Sequence, residues 1–177
     1  MARFLTCSFI VISGLLSSVQ AAQTCDSQIP YSAPNSRYSN NGDGTITDKQ
    51  TGLMWKQCVE GVSGINSCST GNSSTYNWQQ ALQAPAALNT QGGYAGYTDW
   101  RLPNIKELSS LTERACVSPA INLSMFPNTS LSGVWSSSPS NNGLSYAWNA
   151  DTDNYANVHS YSRFNVSYTV RLVRSGQ

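Results

Sequence analysis

Apolar positions recur with three different spacings along this chain, and each change of spacing marks an element. Phe4 to Leu16 is one mostly apolar run. Thr45 to Asp48 and Leu53 to Lys56 are short runs rich in strand formers, so both read as strands. Lys49-Gln50-Thr51-Gly52 joins them and suits a hairpin with a left-handed residue at Gly52. From Asn77 the period lengthens. Trp78, Ala81, Leu82, Pro85 and Leu88 follow helical spacing, and Asn77 with Gln80 can form a capping box. Pro85 lies inside that run, so it should kink the helix or end it early. A second helix starts at Asn104, with Glu107 at the reciprocal capping position and Ile105, Leu108 and Leu111 toward the core. Residues 133–138, 145–149 and 169–174 then read as strands. Strands, two helices and strands again predict an α+β domain. Residues 22–36 read as an irregular arm, 57–76 as a loop, and the domain proper runs over 37–177.

The first apolar run has its own meaning. It follows the single cation Arg3 and is followed by Ser17, Ser18 and the small-residue pattern Val19-Gln20-Ala21. That is the layout of a secretory signal peptide over residues 1–21, cleaved after Ala21. The run is too short for a bilayer, which needs about 20 residues. Removing it leaves 156 residues, enough for one domain with a real core. No later segment is apolar enough to cross a membrane.

Cysteine usage agrees with export to the periplasm or beyond the cell. Cys7 leaves with the signal, and Cys25, Cys58, Cys68 and Cys116 remain. An even count after a signal peptide predicts two disulfides, with three pairings open. Cys58–Cys68 is favoured because it brackets a Gly/Ser/Asn loop, which leaves Cys25–Cys116 to tie the arm to the domain. Loop-closure entropy assigns them roughly 3 and 4.5 kcal/mol. Charge narrows the partner. Only 11% of residues are charged and the net charge is +1, so the chain has no electrostatic footprint for nucleic acid. A surface rich in Ser, Asn, Thr, Gln and Tyr suits a glycan or a surface protein.

The stretch between the strands at 133–138 and 169–174 is the candidate binding face. It offers Tyr146, Asn149, Asp151, Asn154, Tyr155, His159, Tyr161 and Arg163. Aromatic faces beside amides and carboxylates hold polar ligands on shallow surfaces. Trp135 and Trp148, at strand spacing, read as core. Asn41, Asp43 and Asp48 present alternating oxygens, a weak calcium candidate that a hairpin turn explains equally well. No other cofactor is expected. Asp99, Arg101 and Glu107 look catalytic but read as an ion pair or cap at a helix start. With one histidine and no Gly-x-Ser-x-Gly elbow, the chain is not expected to be an enzyme.

Five motifs in order carry a resemblance. They are Asn41-Gly-Asp-Gly-Thr-Ile-Thr-Asp48 with Thr51-Gly-Leu-Met-Trp55, the run from Gly92 to Asn104 with Glu107-Leu108, Trp135-Ser-Ser-Ser138, Ala147-Trp148, and Val170-Arg-Leu-Val-Arg174. This pattern resembles the Lcl C-terminal domain family, named for the end domain of a bacterial collagen-like adhesin. Arg101-Leu-Pro-Asn with Glu107 also resembles the formylglycine-generating sulfatase-modifying superfamily. The resemblance implies a C-type-lectin-like fold, with two helices flanking short antiparallel sheets and long loops. It implies ligand binding or adhesion at a surface. The sulfated glycosaminoglycans bound by the naming adhesin would want clustered cations, whereas Lys106, Arg114 and Arg163 are scattered. The competing expectation is a pilus, secretion or surface-layer subunit that self-associates through its aromatic loops. An enzyme of the formylglycine-generating type comes last.

Overall fold

The computed structural model describes residues 22–129, 131–142, 146–150 and 158–176. The expected signal peptide therefore lies outside the described residues. In chain order the strands are β1 (Thr24–Cys25), β2 (Tyr38–Asn40), β3 (Thr45–Asp48), β4 (Leu53–Lys56), β5 (Val62–Ser63) and β6 (Thr70–Gly71). Two helices follow, α1 (Trp78–Thr90) and α2 (Ile105–Ser109). Then come β7 (Cys116–Val117), β8 (Val134–Pro139), β9 (Tyr146–Ala150), β10 (Val158–Ser162) and β11 (Val173–Ser175). A 3-10 turn, Asn35–Arg37, leads into β2.

The class is α+β, with short antiparallel sheets. One has four strands in the order β11-β4-β3-β2, the other three in the order β10-β9-β8. Two small pairs, β1-β7 and β5-β6, complete the set. The β3–β4 hairpin is as expected, with Gly52 at φ +70°. Both capping boxes are present. Asn77 accepts from the N–H of Gln80, and Asn104 from that of Glu107, each at 2.9 Å. Both disulfides are paired as expected, Cys25–Cys116 and Cys58–Cys68.

Of the two outcomes expected at Pro85, an early end does not occur, since α1 runs on to Thr90. The Pro85 ring is buried, so packing there offsets the one helical hydrogen bond that a proline must forgo. The final strand does not run over 169–174. Before β11 the chain shares its carbonyls among several neighbours, with Thr169 O accepting from Trp135 N, Val170 O from Glu60 N and Leu172 O from Lys56 N. Tertiary bonds there replace a single ladder.

Side chains alternate across a strand, so each sheet feeds two cores. Trp55 and Val134 join Ile46, Leu108, Phe126 and Ala150 in one cluster. Met54 and Trp135 join Trp100, Leu102, Ala147, Val170 and Leu172 in the other. Ile105 is only partly buried, while Leu108 and Leu111 are fully packed. The segment 22–36 lies against this body, with Ala33 fully buried and β1 paired to β7.

Candidate functional site

The three-stranded sheet sets the register of the expected binding face. His159 lies opposite Asn149, Ser160 opposite Trp148, Tyr161 opposite Ala147, and Ser162 opposite Tyr146. On the other side of β9, Asn149 is opposite Trp135. Residues two apart on a strand share a face, so His159 and Tyr161 stand together on β10. Asp151, Asn154 and Tyr155 lie outside the described residues, as do the side chains of Tyr146 and Asn149.

A chain of rings climbs from the core to this face. Trp135 is fully buried, and its indole N–H donates to Tyr76 O at 2.7 Å. Its ring meets that of Tyr168 edge-on, with centroids 5.1 Å apart. Tyr168 meets Tyr161 at 5.3 Å, and Tyr161 meets His159 at 5.9 Å. Tyr168 and Tyr161 are partly buried and His159 is exposed. The two edge-to-face pairs, Trp135–Tyr168 and Tyr168–Tyr161, are worth about 0.5–1.5 kcal/mol each beyond simple burial. The segment Val166 to Tyr168 is held in place by paired backbone bonds between Tyr76 and Tyr168, at 2.9 and 3.0 Å.

A second aromatic platform stands beside it. The capping box starts α1 at Trp78, whose indole N–H donates to Ser136 O at 2.8 Å. The Trp78 backbone N–H donates to Arg163 O, and the Arg163 guanidinium lies 4.1 Å from the centre of the Trp78 ring. Such stacking fixes an otherwise flexible cation. Phe164, next in the chain, is 68% exposed.

Of the expected site residues, Tyr161, His159 and Arg163 are thus in one region. Trp135 is core as expected, and Trp148 is partly buried. Trp78, Phe164 and Tyr168 were missed. Helical spacing alone gives Trp78 no site role, although its place at the first helical position puts it at the helix edge.

The calcium candidates sit at opposite ends of β3. Asp43 accepts from the N–H and hydroxyl of Thr45 at 2.9 and 2.6 Å, and Asn41 donates to the hydroxyls of Thr45 and Thr47. Asp48 is buried and accepts from Arg37 through both oxygens, at 2.9 and 2.5 Å, and from Gln50 N and the Thr51 hydroxyl. Burial pushes its carboxyl up, but Arg37, Thr51 and Gln50 together outweigh that and hold it below the usual range. Among the described residues no group of three or more His, Cys, Asp or Glu could hold a metal ion.

The residues of catalytic appearance are each held in an ion pair. Arg101 grips Glu107 with two bonds of 2.7 Å, and Glu107 also accepts from Asn104 N. The Arg101 guanidinium holds the Glu107 carboxyl below its ordinary range. Asp99 pairs instead with Arg174, at 2.7 and 3.2 Å.

Residues 44–174 match the Lcl C-terminal domain family. The chain belongs to that family. The Lcl C-terminal domain runs from Gly44, in the turn before β3, to Arg174 in β11. It therefore encloses both helices, the three-stranded sheet and the whole aromatic region, while the arm 22–36 lies outside the match. No curated protein matches the chain. The two disulfides and the adhesin-associated domain are consistent with an exported protein. Among the described residues no helix is long and apolar enough to cross a membrane.

Proposed function

We propose that this chain is an exported surface-binding domain of the adhesin type that holds a glycan against the aromatic face of its C-terminal third. The observation that carries this reading is the ring chain from buried Trp135 through Tyr168 and Tyr161 to exposed His159. Rings anchored to a core present flat apolar area with little entropy left to lose, which is what a sugar face needs. Arg163, held on Trp78, adds fixed donors at the rim. Two helices beside short antiparallel sheets support a C-type-lectin-like arrangement as the scaffold. The role is binding rather than catalysis, and it needs no cofactor. The fully used oxygens of Asp48 speak for a hairpin role over calcium.

The test is an array of neutral and sulfated glycans, probed with the oxidised protein in calcium and in chelator. Reproducible binding to one glycan class, lost in a Tyr161→Ala and Arg163→Ala double variant, supports the reading. A blank array removes the glycan. A second reading, a subunit of a surface assembly, is favoured by the 68% exposure of Phe164. Light scattering that finds oligomers, dispersed by Phe164→Ala, would establish it.

A further inference from the structure

A groove of about 490 Å³ opens on another part of the molecule, between the arm and residues 113–124. Nothing in the aromatic region contributes to it. Its volume lies within the range of small-molecule sites, roughly 300–1,000 Å³. We propose that this groove is a binding site for a neutral saccharide of one or two rings.

The lining decides the ligand's chemistry. Apolar surface comes from Ile121 and Leu123, which belong to or pack against the first core cluster, and from the ring of Tyr31. Tyr31 is 54% exposed at the rim, so its ring can cover a sugar's C–H face. The polar groups are amides and hydroxyls. Gln23 donates both amide hydrogens, to Pro119 O at 2.6 Å and Ile121 O at 2.7 Å. Among the described residues its amide oxygen accepts from nothing, so it remains an acceptor. Asn35 is oriented in the opposite sense. Its oxygen accepts from the Asn122 amide at 2.8 Å, which leaves its own NH₂ as a donor. The hydroxyls of Ser36 and Ser124 can act either way. Fixed donors and acceptors around an apolar floor match a ring that carries hydroxyls on its edge and C–H groups on its face.

Charge excludes the acidic alternatives. Among the described residues no Lys, Arg or His lines the groove, and its one ionisable carboxylate is Glu113. That carboxylate is 1% exposed and already accepts from Ser32 N, Ala33 N, Ala115 N and the Ser32 hydroxyl. A sulfated or phosphorylated ligand would meet a buried negative charge and no cation. The backbone excludes an extended peptide. β1 and β7 pair with each other, Asp26 N donates to Ala115 O, Glu113 N donates to Ala120 O, and Gln23 covers two more carbonyls. A peptide strand would find the backbone edges taken, whereas a sugar needs only the side chains.

The Cys25–Cys116 bridge is part of the lining and fixes the arm that forms one wall.

The test is calorimetric titration of the disulfide-bonded protein with glucose, galactose, mannose, N-acetylglucosamine and their disaccharides. Saturable binding of at least one is expected. Tyr31→Ala should weaken it about tenfold, and Ser124→Trp, at an exposed lining position, should abolish it. Tyr31 and Ser124 are surface residues, so melting temperatures should stay near the parent value. Phe164→Ala, on the aromatic face, should leave this affinity within about twofold, which separates the groove from the site proposed above. No saturable binding by any neutral sugar at tens of millimolar overturns the proposal. So does binding that survives both groove variants, or that is lost with Phe164→Ala.

Discussion

The two sheets of this protein are held together by different chemistry. The four-stranded sheet is clasped by charge. Arg37 grips Asp48 between β2 and β3, Lys56 meets Glu60 just beyond β4, and Arg174 on β11 reaches Asp99. The three-stranded sheet uses rings and hydroxyls. Its Trp135 meets Tyr168 edge-on, its Ser136 hydroxyl donates to Trp148 O, and the Asn142 amide donates to the Ser160 hydroxyl. The Arg37–Asp48 and Lys56–Glu60 pairs are largely buried, and removing one partner of a buried pair is costly. Ring contacts tolerate change at the rim, because each ring contributes area more than a single bond. The first sheet is thus suited to be scaffold, and the second to carry a face that varies.

The largest blow to the clasped side should come from Arg171, just before β11. It is 1% exposed and among the described residues has no carboxylate partner. Its guanidinium donates to the carbonyls of Lys56 and Gln57 and to the Thr129 hydroxyl, and it lies 4.9 Å from the centre of the Phe126 ring. Burial pulls it down to about 10, so it is still a cation at neutral pH. Arg171→Ala would leave three buried acceptors without donors and open a cavity. We expect a loss of about 4–5 kcal/mol in urea denaturation. A loss below about 1 kcal/mol would show that the clasp does not depend on this residue.

Asp48→Asn should do less, about 2–3 kcal/mol, because an amide oxygen in place of Oδ1 can still accept from Gln50 N while the amide NH₂ can donate to the Thr51 hydroxyl. Its pH dependence sharpens the contrast between the sheets. The Asp48 carboxyl sits below its ordinary value in the folded state. Its contribution is therefore complete above the unfolded pKa of about 3.9, and it fades as pH falls through the lower folded value. The parent should lose stability in that acid window and Asp48→Asn should lose less. Equal slopes for the two proteins would remove Asp48 as the acid-sensitive clasp.

The sequence was most legible where structure is local. The β3–β4 hairpin, the caps at Asn77 and Asn104, and the Cys58–Cys68 bridge could be read from short spacings, and Cys25–Cys116 followed as the pair that remained. Longer-range bonds were hidden. β10 carries polar residues at His159, Ser160 and Ser162, so no alternation marks it as a strand, and β9 supplies its reason to exist. β1 and β7 are two residues each and form around the Cys25–Cys116 bridge. The split of residues 169–172 among three neighbours follows from the sheets and not from the apolar pattern. In the site, Tyr161, His159 and Arg163 were visible as an aromatic and polar run. Trp78 was not, because the contact that defines it comes from Arg163, 85 positions later. Tyr168 was hidden for the same reason, since its partners Trp135 and Tyr161 come from two strands.

The smallest expected stability change makes the sharpest test of the face that varies. Tyr161 is partly buried and touches two other rings, so Tyr161→Ala should cost about 1–2 kcal/mol and also weaken ligand binding. Phe164 is 68% exposed, so Phe164→Ala should change stability by less than about 0.5 kcal/mol. If the aromatic face binds glycan, Phe164→Ala should still weaken binding about tenfold, since an exposed ring beside the Arg163–Trp78 stack has contact area to give and no packing to lose. Thermal melts and titration of the same two variants give all four values. Binding losses that track stability losses would mean that the ring chain only supports the fold. A stable Phe164→Ala protein that no longer holds its ligand would place recognition on the exposed end of the second sheet, away from the charged clasps of the first.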